Sequence, residues 1–436
     1  MGENKKPSIR FSGFTDAWEQ RKYNDTFTNL PNNTLARAEL NYNSGQVKNI
    51  HYGDVLIKFG ELLNVEKDEM PYITDCALVD KFRSSMLQNG DVIIADAAED
   101  ETVGKCTELV NVGQEIIVSG LHTIPCRPTI SFASGYLGYF MNSSAYHTQL
   151  LRLMQGTKVS SISKSALQDT VIFYPIDIVE QKKISGYFQQ LNNLITLHQR
   201  KYDKLQNVKK SMLKKMFPKN GNTSPEIRFK GFTDAWEQRK YRDTFTSVPN
   251  NTLARAELNY NSGSAKNVHY GDVLIKFGEL LNVREDEIPY ITNGTVADKF
   301  KSSKLQNGDV IVADAAEDET VGKCTELVNI GEEILVSGLH TIPCRPIISF
   351  ASGYLGYFMN SSSYHDQLLK LMQGTKVSSI SKSALQDTDI TFPIDIIEQK
   401  QISDYFQQLN NLITLHQREL EKLQNIKKSC LDRIFV

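Results

Sequence analysis

GFTDAWEQRK at residues 13–22 returns letter for letter at residues 231–240. The offset is 231 − 13 = 218, half of the 436 residues of the chain. The same offset relates HYGDVLIKFGELLNV from His51 and His269, SGLHTIPCRP from Ser119 and Ser337, and YFQQLNNLITLHQR from Tyr187 and Tyr405. Solenoid repeats recur every 20–50 residues or so, a far shorter period. Each copy is therefore domain-sized, and the chain amounts to a covalent dimer with approximate two-fold symmetry open to it.

Within a copy the strongest periodic signal lies at the end. From about residue 177 to residue 217 there is no proline, and the next is Pro218. Phe188, Leu191, Ile195, His198, Tyr202 and Leu205 follow steps of 3, 4, 3, 4 and 3. The second copy sets Phe406, Leu409, Ile413, His416, Leu420 and Leu423 at the same steps. This is the a/d seam of helices that pack lengthwise. A helix of roughly 35 residues spans about 50 Å. Two such seams are best covered by each other, as an antiparallel pair, and Leu194 and Leu197 widen the stripe, so a third surface is expected to pack there.

The preceding part of each copy reads as mixed. GDVLIKF (53–59), GDVIIAD (90–96) and EIIVSG (115–120) read as strands entered from turns. Residues 134–155 read as helical with a break near Asn142, and 217–229, rich in Pro, Gly and Asn, reads as a linker. The predicted class is α+β: a mixed domain over 1–176, a long helix over 177–217, a second domain over 218–394 and a second long helix over 395–436.

Composition narrows the function. With 40% hydrophobic and 23% charged residues the chain reads as globular, and no apolar run reaches the roughly 18 residues of a membrane helix. The start lacks the apolar stretch of a secretory signal, so the reading is cytoplasmic. The six cysteines form no CxxC pair, which argues against a zinc ribbon and leaves buried free thiols as the expectation. A net charge of −2 gives no general affinity for nucleic acid, so any DNA binding must rest on local surfaces or partner subunits. No P-loop, GxSxG, HExxH or NPPY-like methylase motif is present.

FxGFTDAWEQRK (11–22, 229–240), GTKVSSISKSAL (156–167, 374–385) and PIDIxEQKxI (175–184, 393–402), each copy running into a long helix, resemble one family. The chain is similar, over its whole length and twice, to the specificity subunits of type I restriction–modification enzymes. The resemblance implies two target recognition domains that read halves of a bipartite site on double-stranded DNA, separated by a coiled coil. It implies a subunit without catalysis or cofactor of its own. Two modification subunits carrying S-adenosylmethionine would methylate adenine, and restriction subunits would translocate and cut. Members usually carry two dissimilar recognition domains. Here they are nearly the same, so the expected target is an interrupted palindrome. The alternatives from other classes are a duplicated metal-dependent nuclease and a coiled-coil scaffold for proteins.

Reading bases takes guanidinium or amide side chains, and positioning on phosphates takes Lys, Ser and Thr. Residues 32–49 supply Asn32, Asn33, Arg37, Asn41 and Asn43, and the second copy Asn250, Asn251, Arg255, Asn259 and Asn261. QGTKVSSISK (155–164) supplies Thr157, Lys158, Ser160, Ser161 and Lys164, repeated as Thr375, Lys376, Ser378, Ser379 and Lys382. These form the expected DNA-binding set. The competing reading of 155–164 is a helix-capping loop with Ser163 or Ser165 as the cap. The acidic run 95–101, with Asp96, Glu99, Asp100 and Glu101, would hold a metal only if His122 folded onto it. The expectation is a solvated surface, with no metal and no catalytic residue.

Overall fold

The computed structural model describes residues 6–75, 82, 85–156, 159–219, 221–372 and 378–436, with the backbone alone at 301. It divides into two compact units, one of residues 1–199 with 418–436 and one of residues 200–417.

In the first unit a five-stranded sheet runs Phe27–Asn29, Thr123–Pro128, Val92–Ala95, Cys106–Val110, Leu62–Asn64. Only the last pairing is parallel. All four residues of Val92–Ala95 are buried because both faces of the sheet are covered. Alternation then sorts them: Val92 and Ile94 enter one core, Ile93 and Ala95 another. The first core contains the helix Tyr136–Met141, buried along its whole length. Gly138 lets that helix approach, since a Cβ there would lie 2.2 Å from the Glu61 carbonyl oxygen. Glu108 lies buried beneath it and accepts from the backbone N–H groups of Gly135 at 2.6 Å and Gly138 at 2.9 Å. The second core contains the helix Tyr52–Ile57. A four-stranded sheet, ordered Ile116–Ser119, Val47–Ile50, Tyr72–Ile73, Leu40–Asn41, is interleaved with the five-stranded one along the chain.

GDVIIAD and EIIVSG form strands, Val92–Ala95 and Ile116–Ser119, and the break at Asn142 separates Tyr136–Met141 from Ser144–Leu151. GDVLIKF does not form a strand. The His51 side chain caps Tyr52–Ile57 by accepting from Gly53 N, and Asp54 takes up Arg37. Val55 and Phe59 then fall on one helical face and are buried together. Capping at one end and an ion pair at the first turn decide against the strand that the β-branched composition suggests.

The repeated decapeptide closes the globule. Trp18 enters the core, Glu19–Lys22 pairs antiparallel with Val171–Tyr174, and Arg10 makes a bidentate pair with Glu180 at 2.7 and 2.8 Å. Glu180 lies in the long helix Ile178–Lys215, whose counterpart is Ile396–Ile434. Each helix is divided between the units. In the first unit Phe188 stacks on Phe435 with centroids 5.8 Å apart, and Glu61 receives both Asn192 and Lys427. The two helical stretches there run antiparallel. Phe435 also meets the edges of Trp18, Tyr136 and Phe140.

The second unit repeats the first, with the sheet Phe245–Ser247, Thr341–Pro346, Val310–Ala313, Cys324–Val328, Leu280–Asn282. Phe217 holds the position that Phe435 holds in the first, stacked on Phe406 at 6.0 Å and edge-on to Trp236, Tyr354 and Phe358. Segment 217–229, expected as a linker, therefore opens with a core residue. On the seam, Phe188, Leu191, Phe406, Leu409, Ile413 and Leu420 are buried. Ile195, His198, Tyr202, Leu205, His416 and Leu423 are half-buried, while Leu194 and Leu197 stay exposed. Cys106, Cys126, Cys324 and Cys344 are buried free thiols; Cys76 lies outside the described residues.

Candidate nucleic-acid interface

The segment after Phe27–Asn29 is laid down on the turn that follows Ile116–Ser119. Asn33 does this work: its backbone N–H and its Nδ2 both donate to Ser119 O, at 2.8 and 2.9 Å. Its Oδ1 accepts from Leu35 N and Asn49 Nδ2, each at 3.1 Å. Asn33 is 7% exposed and Asn251 3%, so these two amides face inward. They support the loop and do not offer the outward-facing amide that the residue type suggests. The physical reason is that a loop carrying several backbone polar groups needs an internal partner, and this buried amide serves two of them, Ser119 O and Leu35 N.

Asn41 is half-buried at the next bend. Its Oδ1 accepts from Asn43 N at 2.9 Å and Ser44 N at 3.0 Å, the local turn that asparagine favours. This leaves Asn43 exposed at the tip. Asn259 holds Asn261 the same way. Arg37 gives Nη1 and Nη2 to the Asp54 carboxylate at 2.9 Å each, and Nη1 also reaches Tyr42 Oη at 3.4 Å. Asp54 raises the Arg37 pKa through this hydrogen bond, and the guanidinium remains 46% exposed. Arg255 repeats the fork on Asp272 at 2.6 and 2.8 Å. The carboxylate fixes the plane of the guanidinium while part of its edge still meets solvent.

The two predicted stretches meet in the first unit. Asn32 Nδ2 donates to Gly120 O, and Lys164 Nζ donates to Asn32 Oδ1, each at 3.4 Å. In the second unit Asn250 keeps the contact to Gly338 O at 3.4 Å. Ser160 and Ser161 pair with Ala98 and Ala97, as Ser378 and Ser379 do with Ala316 and Ala315. Ser163 caps the short helix Lys164–Leu167 by accepting from Ala166 N, so the capping half of the alternative reading holds, and Lys164 and Lys382 sit exposed just after the cap. Thr157, Lys158, Thr375 and Lys376 lie outside the described residues.

Between the two stretches stand groups that residue type alone did not single out for DNA. Tyr52 lies edge-on to His122 at 5.3 Å and tilted against His51 at 4.7 Å. Burial, and then Arg37, lower the His51 pKa, which suits a neutral ring whose Nδ1 accepts from Gly53 N. His122 has a φ of +55°, a conformation that side chains rarely adopt, and its Nδ1 lies 3.1 Å from Asp96 Oδ1. His340 and Asp314 repeat this at 3.1 Å. His122 and Asp96 do come together, but Asp100 turns to Thr102. Among the described residues no three of His, Cys, Asp and Glu gather as a metal would need. The SGLH turn was the available signal, since histidine is tolerated in the left-handed region.

Contacts thus link Lys164, Asn32 and the Gly120 turn with His122, Tyr52, His51, Arg37 and Tyr42. The surface offers amides, a planar guanidinium, ammonium groups and aromatic edges. Side chains of these types can hold phosphates and meet base edges.

Residues 235–425 match the family described as the type I restriction modification DNA specificity domain. At the offset of 218 that segment corresponds to residues 17–207 of the first copy. The type I restriction enzyme MjaVIII specificity subunit of Methanocaldococcus jannaschii is 22% identical over 296 residues, a match spanning 64% of this chain and 64% of that protein. The S subunit of a type I restriction–modification system from M. genitalium has a similar fold, with a TM-score of 0.54 at 10% identity over 99% of both chains. A chain solved in work on assembly and conformational transition of the type I system has a TM-score of 0.53 at 16% identity, covering 96% of this chain and 97% of that one.

Proposed function

We propose that this chain, whose two copies belong to the type I restriction–modification DNA specificity family, recognises the target sequence on double-stranded DNA for a larger complex. Each copy reads one of two inverted half-sites, and the unread spacer between them is set by the long helices. Two modification subunits holding S-adenosylmethionine methylate adenine at the site, and restriction subunits act where methylation is missing. The chain itself is a non-catalytic subunit working in the cytoplasm.

The observation that carries this reading is the sameness of the two surfaces. Asn32, Asn43, Arg37, Tyr52, His122 and Lys164 all recur at 218 residues' distance, with the Arg–Asp and His–Asp geometries reproduced. Equal readers related by a two-fold axis meet the two strands of a palindrome in the same way. Mapping N6-methyladenine across the genome of cells making the chain with its modification subunit tests this. The expected result is one methylated interrupted palindrome that disappears when the chain is deleted. Methylated motifs that persist unchanged after deletion would overturn the role.

A further inference from the structure

Ile57 and Ile275 are 90% and 89% exposed, against 67% for the next most exposed large apolar residues, Ile176 and Ile394. Neither lies on a frayed segment. Ile57 ends the helix Tyr52–Ile57, which His51 caps at one end and which is fixed at the other by Lys105 Nζ donating to Leu56 O at 2.7 Å. Val55 is buried in the core and Asp54 holds Arg37, so the helix is anchored through its other faces and projects Ile57 outward. Lys58, the next residue, lies over the Tyr42 ring at 4.8 Å, and Tyr42 touches Arg37. Lys58 also pairs with Glu69 at 3.6 Å. Lys276 over Tyr260 at 4.7 Å, with Arg255 on Asp272, frames Ile275 alike.

A protein partner would cover a broad apolar area, but here one aliphatic side chain stands out beside polar groups already engaged with one another, Arg37 on Asp54, Lys58 on Glu69 and Lys105 on Leu56 O. The complement of that pattern is a single apolar point set among polar groups. The C5-methyl of thymine, in the major groove and flanked by phosphates, has this chemistry. We propose that Ile57 and Ile275 read a thymine methyl group in each half-site. The proposal rests on the DNA-recognition reading above and adds a specificity-determining residue to it.

The test uses the full chain complexed with its modification subunits, on duplexes carrying the mapped motif. Each thymine of the half-sites is replaced singly by deoxyuridine, which removes only the methyl. Binding by the parent complex is expected to fall on the order of four-fold per half-site at one thymine position, the worth of one buried methyl-sized group. The Ile57→Ala, Ile275→Ala double variant should lose sensitivity at that position alone and still prefer the motif over unrelated DNA. Equal deoxyuridine sensitivity in parent and variant, or none in either, overturns the proposal. So does a variant that no longer assembles with the modification subunits, which would mark Ile57 as a protein contact. So does an Ile-dependent rise in 2-aminopurine fluorescence without deoxyuridine sensitivity, which would mark it as a wedge between bases. Failure of the underlying reading looks different: the parent complex then shows no preference for the motif.

Discussion

Asn33 and Asn43 carry the same side chain into opposite surroundings. Asn33 is enclosed and bonded to Ser119 O, Leu35 N and Asn49 Nδ2, while Asn43 stands exposed on a turn made by its neighbour. Asn33→Ala should cost about 1–3 kcal/mol for each buried group left without a partner, read as a lower urea midpoint for the first unit. Asn43→Ala should leave that midpoint unchanged and weaken selection among DNA sequences. Letters could not separate the two asparagines, because which one turns inward depends on the position of Ser119, some 86 residues away in sequence. Glu108 was equally hidden, an ordinary strand residue until the fold places it under Gly135 and Gly138. Burial pushes its carboxyl up to about 7, opposed by the backbone N–H groups, and the same holds for Glu326. Its folded pKa then exceeds its unfolded value of about 4.3, so its contribution to stability is present below that value and lost as pH rises through 7. Within that window each unit should lose roughly 1.4 kcal/mol per pH unit from this group. Urea unfolding between pH 4 and 8 checks the slope, and Glu108→Gln with Glu326→Gln should flatten it.

At the scale of elements, the sequence periodicity announces what repeats locally and misses what is decided by partners. The long helices were legible because the 3–4 spacing is continuous over many turns. The helix Tyr52–Ile57 was not, since six residues are too few for a period and the capping is done by a histidine. Phe217, read as opening a linker, belongs to a core, as Phe435 does in the other unit. Phe435 is 4% exposed among Trp18, Tyr136, Phe140 and Phe188, and Phe217 is 1% exposed in the equivalent cluster. Truncating a buried phenylalanine costs about 3–5 kcal/mol. Phe435→Ala should therefore destabilise the first unit, and Phe217→Ala the second, while the other unit keeps its own transition. Limited proteolysis in urea, followed by identification of the cut sites, separates the two.

For the whole molecule the repeat is the most legible feature, and it predicts equal readers only while both copies keep the same surface. Asn43→Ala without a change at Asn261 leaves two unequal readers. The methylated motif should then relax in one half only, visible by sequencing methylated sites in cells carrying the variant. Motifs relaxed in both halves would mean that the two copies do not address separate half-sites. The location of the cores relative to chain order, by contrast, was not legible. The first unit is built from both ends of the chain, residues 1–199 and 418–436, and the second from the continuous stretch 200–417.

That arrangement reverses the order of synthesis. The first globule's strands are made before the second's, yet Phe435 can reach Trp18, Tyr136 and Phe188 only after the whole second unit has been made. At about 5–20 residues per second, the interval between completing residue 199 and residue 435 is roughly 10–50 s. Through that time the first-made globule carries an open aromatic cleft, while the later one has every residue it needs as soon as residue 417 is made. Nascent chains arrested after residue 417 and freed from the ribosome should show the second unit resistant to protease and the first still open to it. The unit begun first is thus completed after the one begun second.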